Sequence, residues 1–163
     1  MVSKDNKLIL NGVLIFSILS LSIAYFIQYI FGYQPCNLCI IERVPYALAI
    51  IILILNHFFK KNRIFYTVLL LLVFAFSFLI SVYHLGIEQG FIEESTVCAS
   101  TNVGLIEKED ILDSLTEIRI SCKDVAFRIL NLSLTTYNVF ISLLMFFISA
   151  KIYQNNNGYL IYP

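Results

Sequence analysis

Four long runs without an acidic or basic side chain divide the sequence, and they constrain its fold more than any other feature. The runs cover residues 8–31, 44–59, 64–87 and 129–150. A membrane-spanning helix needs about 20 mostly apolar residues, and about 17 to 25 are tolerated. Three runs satisfy this length outright. The second is slightly short, but Ile40 and Ile41 extend it, and Arg43 and Lys60 can snorkel at its ends.

Composition points to the same class of protein. Hydrophobic residues make up 59% of the chain and charged residues 13%, whereas soluble domains carry roughly 25% charged residues. We therefore predict an all-α integral membrane four-helix bundle. It forms a single membrane domain over residues 1–163, with spans at about 8–31, 42–59, 64–87 and 129–150. The first run is expected to be a retained helix, because it is too long for a secretory signal and no small-residue cleavage site follows.

Cationic residues indicate how the predicted bundle is oriented. They precede the first span, join the second to the third and follow the fourth: Lys4, Lys7, Lys60, Lys61, Arg63 and Lys151. By the positive-inside rule these segments, and both termini with them, face the cytoplasm. Loops at about 32–41 and 88–128 then lie on the opposite side. The net charge is zero, and its distribution does not suggest a nucleic-acid partner.

The second of these loops is predicted to carry a short amphipathic helix. Over residues 105–120, the apolar residues Ile111, Leu115 and Ile118 recur with helical spacing, and acidic residues occupy much of the remaining surface. Such a helix can lie on the membrane through its apolar face or pack on protein. The sequence favours neither alternative.

All four cysteines fall in the two non-cytoplasmic loops, Cys36 and Cys39 in the first and Cys98 and Cys122 in the second. Disulfides persist in the periplasm, so this placement agrees with the predicted topology. Cys36 and Cys39 have the CxxC spacing of redox-active pairs. Structural disulfides and a four-cysteine metal site are the alternatives. A second CxxC, the usual other half of such a metal site, is absent, so we expect no metal and favour thiol–disulfide exchange between the loops.

Two ionisable residues are candidates for a supporting role. Arg43 follows Cys39 by four positions, so a helix beginning near Cys39 places guanidinium and sulfur on one face, where the cation stabilises a thiolate. The alternative for Arg43 is an interfacial anchor. His84 lies near the non-cytoplasmic end of the third span, where ionisable residues are often functional, although a lone histidine there is also often structural. Glu42 is interpreted as a solvated interfacial charge.

With these residues identified, the chain resembles the DsbB family of bacterial disulfide bond formation proteins over nearly its whole length. Residues 34–43, Gln-Pro-Cys-Asn-Leu-Cys-Ile-Ile-Glu-Arg, match the family signature P-C-x-L-C-x-x-E-R. Segments 83–88 and 127–138 are also similar. Asn131 and Tyr137 depart from the Gly and Trp that are common in the family, which bears on quinone preference rather than on the thiol chemistry.

The resemblance implies a protein thiol oxidase of the bacterial inner membrane. It would reoxidise a DsbA-like periplasmic protein of the thioredoxin fold and pass the electrons to a quinone, either ubiquinone or menaquinone. Cys98 would be attacked by the partner, and the released Cys122 would engage Cys36. Cys39 would then face the quinone as a thiolate, and Arg43 and His84 would contact that quinone.

Two other functions remain open from the sequence. The chain could be a family member that oxidises one specialised substrate protein, or a small non-enzymatic membrane protein with structural disulfides. Each of these interpretations predicts that the chain contacts membrane lipid.

Overall fold

The computed structural model describes residues 4–59, 62–94, 98, 121–123, 128–129 and 132–161. Within them the helices are α1 (Lys4–Ile30), α2 (Asn37–Ile41), α3 (Val44–Phe58), α4 (Arg63–Glu88) and α5 (Leu134–Ile161). Two short strands, β1 (Arg128–Ile129) and β2 (Leu132–Ser133), pair in antiparallel fashion just before α5. The amphipathic helix predicted over residues 105–120 lies outside the described residues.

The described residues include helical segments that are long and apolar enough to cross a membrane. There are four: Asn6–Ile30, Asn37–Phe58, Arg63–Glu88 and Leu134–Asn155. Their outer surfaces carry large exposed apolar side chains such as those of Leu8, Phe65 and Phe140, which soluble monomers rarely expose in such extent. The predicted all-α four-helix membrane bundle is thereby confirmed, and the chain is a multi-pass membrane protein. The last helix begins after the predicted position 129, because β1 and β2 precede it.

The helices pack around a continuous apolar core. Helix α3 packs against both α1 and α4, and α4 makes its most extensive contact with α5. The core is formed by buried side chains from α1, α3, α4 and α5, namely Val13, Tyr46, Ala49, Ile52, Leu53, Leu70, Phe74 and Met145. At the end of the bundle opposite the cysteines, Asn155 of α5 lies 3.4 Å from Asn6 of α1 and donates a hydrogen bond to it.

Five fully buried serines lie along the helices: Ser17, Ser77, Ser81, Ser142 and Ser149. Three of them, Ser17, Ser142 and Ser149, donate to the carbonyl four residues earlier in their own helix. Small side chains let helix backbones approach closely, and such packing is a major source of helix association in lipid. The serines therefore contribute to the bundle through their size.

Pro45 accounts for the break between α2 and α3. Proline has no amide hydrogen and its ring crowds the preceding turn, so it is tolerated only in the first turn of a helix. Pro45 occupies that turn of α3, and the helix restarts there instead of continuing from α2. Glu42 and Arg43 consequently lie at the junction between the two helices.

At the cysteine end of the bundle, α4 ends in a turn that contains Gly90. Gly90 has a φ of 78°, a left-handed conformation that glycine adopts without a side-chain clash. The Phe91 amide donates to the Gly86 carbonyl at 2.9 Å, which satisfies one of the last carbonyls of the helix. The turn sends the chain towards Glu94 and the second cysteine pair.

Candidate functional site

The first cysteine pair lies at the beginning of α2. Cys36 is the residue before the helix, and its sulfur accepts a hydrogen bond from the Cys39 amide at 3.2 Å. The two sulfurs are 2.8 Å apart and are not joined in a disulfide. Cys36 is buried, with 6% of its surface exposed, whereas Cys39 is half-buried. The site therefore holds a dithiol whose two sulfurs are already in contact.

His84 and Glu42 connect this pair to α4. His84 Nε2 lies 3.6 Å from Cys36 Sγ, and His84 Nδ1 donates to Glu42 Oε1 at 3.1 Å. Thr135, at the start of α5, places its hydroxyl 3.5 Å from the same Nδ1. Glu42 is only 8% exposed, so its interpretation as a solvated interfacial charge is wrong. The carboxylate is buried because it is the partner of His84.

The environment of Cys36 favours its thiolate. The hydrogen bond from the Cys39 thiol is the largest contribution and lowers the pKa of the Cys36 thiol. Burial opposes this change, while the nearby His84 ring adds to it. A hydrogen bond to the charged form stabilises that form. Within the pair, Cys36 is thus the sulfur that is readily deprotonated.

Arg43 is held by α1. Its guanidinium donates to Gln28 Oε1 at 2.6 Å and lies over the ring of Tyr25, 4.9 Å from the centroid. The helix on which the predicted spacing of Cys39 and Arg43 depends is interrupted, because α2 ends at Ile41 and Arg43 precedes α3. Arg43 is therefore oriented by contacts with another helix rather than by helical spacing from Cys39.

The second pair is a disulfide that packs against the first pair. Cys98 and Cys122 are bonded, with their Cα atoms 5.3 Å apart, and they are 2% and 3% exposed. Together with Cys36, Leu38 and Ile87 they form one buried cluster. The structure thus brings all four cysteines to one end of the bundle. It also encloses the second pair.

Glu94 ties the Cys122 segment to the chain that follows α4. Its carboxylate accepts a very short hydrogen bond from the Ser121 hydroxyl, and the Lys123 amide donates to the same oxygen at 3.2 Å. The Ser121 hydrogen bond is the main cause of a lowered Glu94 pKa. The two residues that flank Cys122 are therefore anchored to one carboxylate.

A cavity of about 470 Å³ opens between α1 and α5 beside both cysteine pairs. One wall is apolar and comes from α1, with Leu19, Ile23 and Ile27. The opposite end carries the thiols and the ionisable side chains, and the residues there are Cys36, Cys39, Glu42, Arg43, His84 and Cys122. All the predicted site residues except Cys98 line this one cavity.

Three polar side chains form a hydrogen-bonded series further along the cavity. The sequence did not predict this series. The Tyr46 hydroxyl donates to Asn138 Oδ1 at 2.5 Å, and the Asn138 amide donates to Ser81 at 2.8 Å. These residues join α3, α5 and α4 at one level of the bundle. Only the placement of an amide within an apolar span, at Asn138, could have indicated such a contact.

Comparisons with known proteins agree with the motif. The family model described as "Disulfide bond formation protein DsbB" matches residues 6–152. An uncharacterized protein of Rickettsia prowazekii (strain Madrid E) is 32% identical, and the alignment covers 96% of this chain and 94% of that protein. No solved structure matches the chain significantly.

Proposed function

We propose that this chain, which belongs to the disulfide bond formation protein DsbB family, oxidises a DsbA-like periplasmic dithiol protein and passes the electrons to a membrane quinone. Membership of the family makes the chain a membrane oxidoreductase of disulfide bond formation. The partner, the electron acceptor and the order in which the cysteines react are the proposal.

The buried cluster that the two cysteine pairs share carries this proposal. The Cys98–Cys122 disulfide and the Cys36 thiol belong to one buried cluster, and Cys122 and Cys36 line the same cavity. Thiol–disulfide exchange requires a thiolate, a disulfide and access between them. Two structural disulfides would not need to share one buried cluster.

The relay has three balanced steps. A thiolate of the reduced partner attacks Cys98, and the Cys98–Cys122 bond breaks to leave a mixed disulfide and a Cys122 thiolate. The released Cys122 thiolate then attacks Cys36 and breaks the Cys36–Cys39 bond, which leaves a Cys122–Cys36 disulfide and a Cys39 thiolate. In the third step the partner's second thiolate displaces Cys98, and the freed Cys98 thiolate displaces Cys36 from Cys122. The partner leaves as a disulfide, the second pair is a disulfide again, and two electrons have moved to the first pair.

The two pairs differ in their bonding and in their surroundings. The second pair is a disulfide and the first pair is a dithiol. Cys39 is half-buried at the cavity, whereas Cys36 is buried towards the second pair. Cys36 is thus positioned for thiol–disulfide exchange with the second pair, and Cys39 is positioned to react with a ligand in the cavity.

The cavity suits a quinone. Ligand sites usually occupy about 300–1,000 Å³ with mostly apolar walls and few polar groups, and this cavity of about 470 Å³ has that character. When bound, the quinone supplies an acceptor for two electrons and two protons. Arg43 and His84 are the residues we assign to its polar end, where Gln28 and Tyr25 fix the direction of the guanidinium.

The placement in the cell follows from charge and redox chemistry. The cysteine end lies opposite the end that carries Lys7, Arg63 and Lys151. We therefore assign the cysteines to the periplasmic side of a bacterial inner membrane and both termini to the cytoplasm.

Anaerobic turnover of the purified protein tests the function. The protein in detergent is mixed with a reduced DsbA-type donor and a short-chain ubiquinone or menaquinone, and quinol formation and donor thiols are measured together. We expect one quinol for each donor disulfide formed. If neither quinone is reduced while the Cys98–Cys122 disulfide remains intact, the second pair is structural and the proposed electron transfer is wrong.

A further inference from the structure

The reduced first pair and His84 place three metal-ligating atoms together. The sulfurs of Cys36 and Cys39 and a ring nitrogen of His84 all lie within 4.8 Å of one another, among the described residues. Two thiolates and one imidazole are a usual ligand set for zinc, and three protein ligands with a fourth position open are typical of reactive zinc sites. The sequence did not indicate this set, because its third member lies far along the chain.

The spacing of these atoms fits a tetrahedral cation. Ligands at about 2.3 Å (sulfur) and about 2.1 Å (nitrogen) from zinc lie about 3.6 Å from each other. Cys36 Sγ and His84 Nε2 are 3.6 Å apart. The two sulfurs, at 2.8 Å, must separate by about 1 Å to reach tetrahedral spacing. Cys39 borders the cavity, so its side chain has space for that movement.

Glu42 orients the histidine for this role. His84 Nδ1 donates to Glu42 Oε1 at 3.1 Å, so the lone pair of the neutral ring lies on Nε2, the nitrogen nearest Cys36. Zinc-binding histidines commonly donate their other nitrogen to a carboxylate, which fixes the ring and increases its basicity. The cavity beside the three ligands can supply water at the fourth position.

We propose that Cys36, Cys39 and His84 bind Zn²⁺ when the first pair is reduced and release it when the pair is oxidised. On binding, both thiols lose their protons to solvent and their sulfurs bond to the metal, with no change of oxidation state. The Cys36–Cys39 disulfide has no thiolate and cannot hold the cation. Bound zinc holds both sulfurs away from disulfide formation, so the site is a reversible, redox-dependent point of inhibition.

Direct binding to the full chain tests this proposal. The Cys98→Ser/Cys122→Ser variant retains only the first pair, so every thiolate signal comes from Cys36 and Cys39. It is reduced with a phosphine or oxidised with diamide, and Zn²⁺ is titrated against a chromogenic chelator. We expect one Zn²⁺ for each reduced chain and none for the oxidised chain. Co²⁺ should give thiolate charge-transfer bands and the d–d absorption of a tetrahedral site.

Matched variants identify the ligands. Cys36→Ser should weaken binding at least about 100-fold, and Glu42→Gln should weaken it about 10- to 100-fold while the cobalt spectrum keeps its form. His57→Ala, at the far end of α3, should bind as the parent does. Binding that is equally tight in a His84→Gln variant would overturn the proposal, because the cation would then be held by the dithiol alone.

If the double variant does not fold, the fully reduced wild type and the reduced Cys36→Ser/Cys39→Ser variant provide the same comparison. Equal zinc binding by these two proteins contradicts the site. The result is independent of the proposed quinone reaction, since the titration contains neither donor nor quinone.

Discussion

The first cysteine pair lies among polar and charged side chains, whereas the second is packed against apolar ones. Cys36 and Cys39 have His84 and Glu42 beside them and open onto a cavity. Cys98 and Cys122 are bonded, almost fully buried and in contact with Leu38 and Ile87. The thiolate-stabilising environment is therefore inside the bundle, and the pair that we assign to the partner protein is the enclosed one. We therefore expect access to the enclosed disulfide, rather than its reactivity, to limit which thiols can reduce the protein.

The largest effect is expected from Cys36→Ser, which removes the thiolate that links the two pairs. Donor oxidation by quinone should fall to the rate without enzyme, because electrons on the second pair have no acceptor. Quinol formation from reduced donor measures this loss. The Cys98–Cys122 disulfide should still form on nonreducing gels, and turnover that survives the substitution would show that the second pair transfers electrons by another route.

Cys122→Ser tests the order of attack on the enclosed pair. In this variant Cys98 is a lone thiol, so its thiolate attacks the disulfide of the oxidised partner and forms a mixed disulfide. Without Cys122, no sulfur of the second loop can attack Cys98 in return, so this adduct should accumulate. Nonreducing gels should show the adduct, and dithiothreitol should remove it. The Cys98→Ser variant is the matched control. An adduct in that variant instead would reverse the roles of the two cysteines.

Arg43→Ala examines the polar end of the cavity. A hydrogen bond to a charged group is worth about 1.5–3 kcal/mol, which corresponds to about a ten- to hundred-fold loss in kcat/KM for the quinone. Arg43→Lys should lose less, because it keeps the charge but not the planar fork. Turnover is measured at limiting quinone and equal protein level, with Arg63→Ala at the other end of the bundle as control. Wild-type rates for Arg43→Ala would make this residue an interfacial anchor.

The smallest effect is expected from Glu94→Gln, which should make the second pair easier for a donor to reach. Loss of the carboxylate loosens Ser121 and Lys123, so donor attack should accelerate about two- to five-fold, the range for an exposed charged contact. The folded pKa of Glu94 lies below its ordinary value of 4.5. The restraint that the Glu94 carboxylate exerts is therefore complete above its ordinary pKa and is lost as the pH falls through the lowered pKa. The wild type and the variant should differ at pH 7 and converge in acid. Equal single-turnover rates at pH 7 would show that this carboxylate does not restrain Cys122.

The sequence predicted those parts of the structure that depend on local pattern. The four spans follow from uncharged runs, and the position of the first pair before α2 follows from its motif. The pairing of Glu42 with His84 could not be predicted, because it joins residues 42 positions apart that only helix packing brings together. The direction of Arg43 was missed for the same reason, since its partners Gln28 and Tyr25 belong to α1. The effect of Pro45 on helix continuity was not inferred from the sequence.

The buried serines have a consequence for how the reactive site arises during biosynthesis. Membrane helices first insert as separate units and then associate, and small side chains make that association close. Cys36 precedes the second span, His84 ends the third and Thr135 begins the fourth. No single inserted helix contains the whole site, so an inserted chain that has not yet assembled has the thiols and Glu42 without His84. A bulky substitution at Ser81 or Ser142 would then delay maturation of the thiol chemistry while leaving the number of inserted spans unchanged.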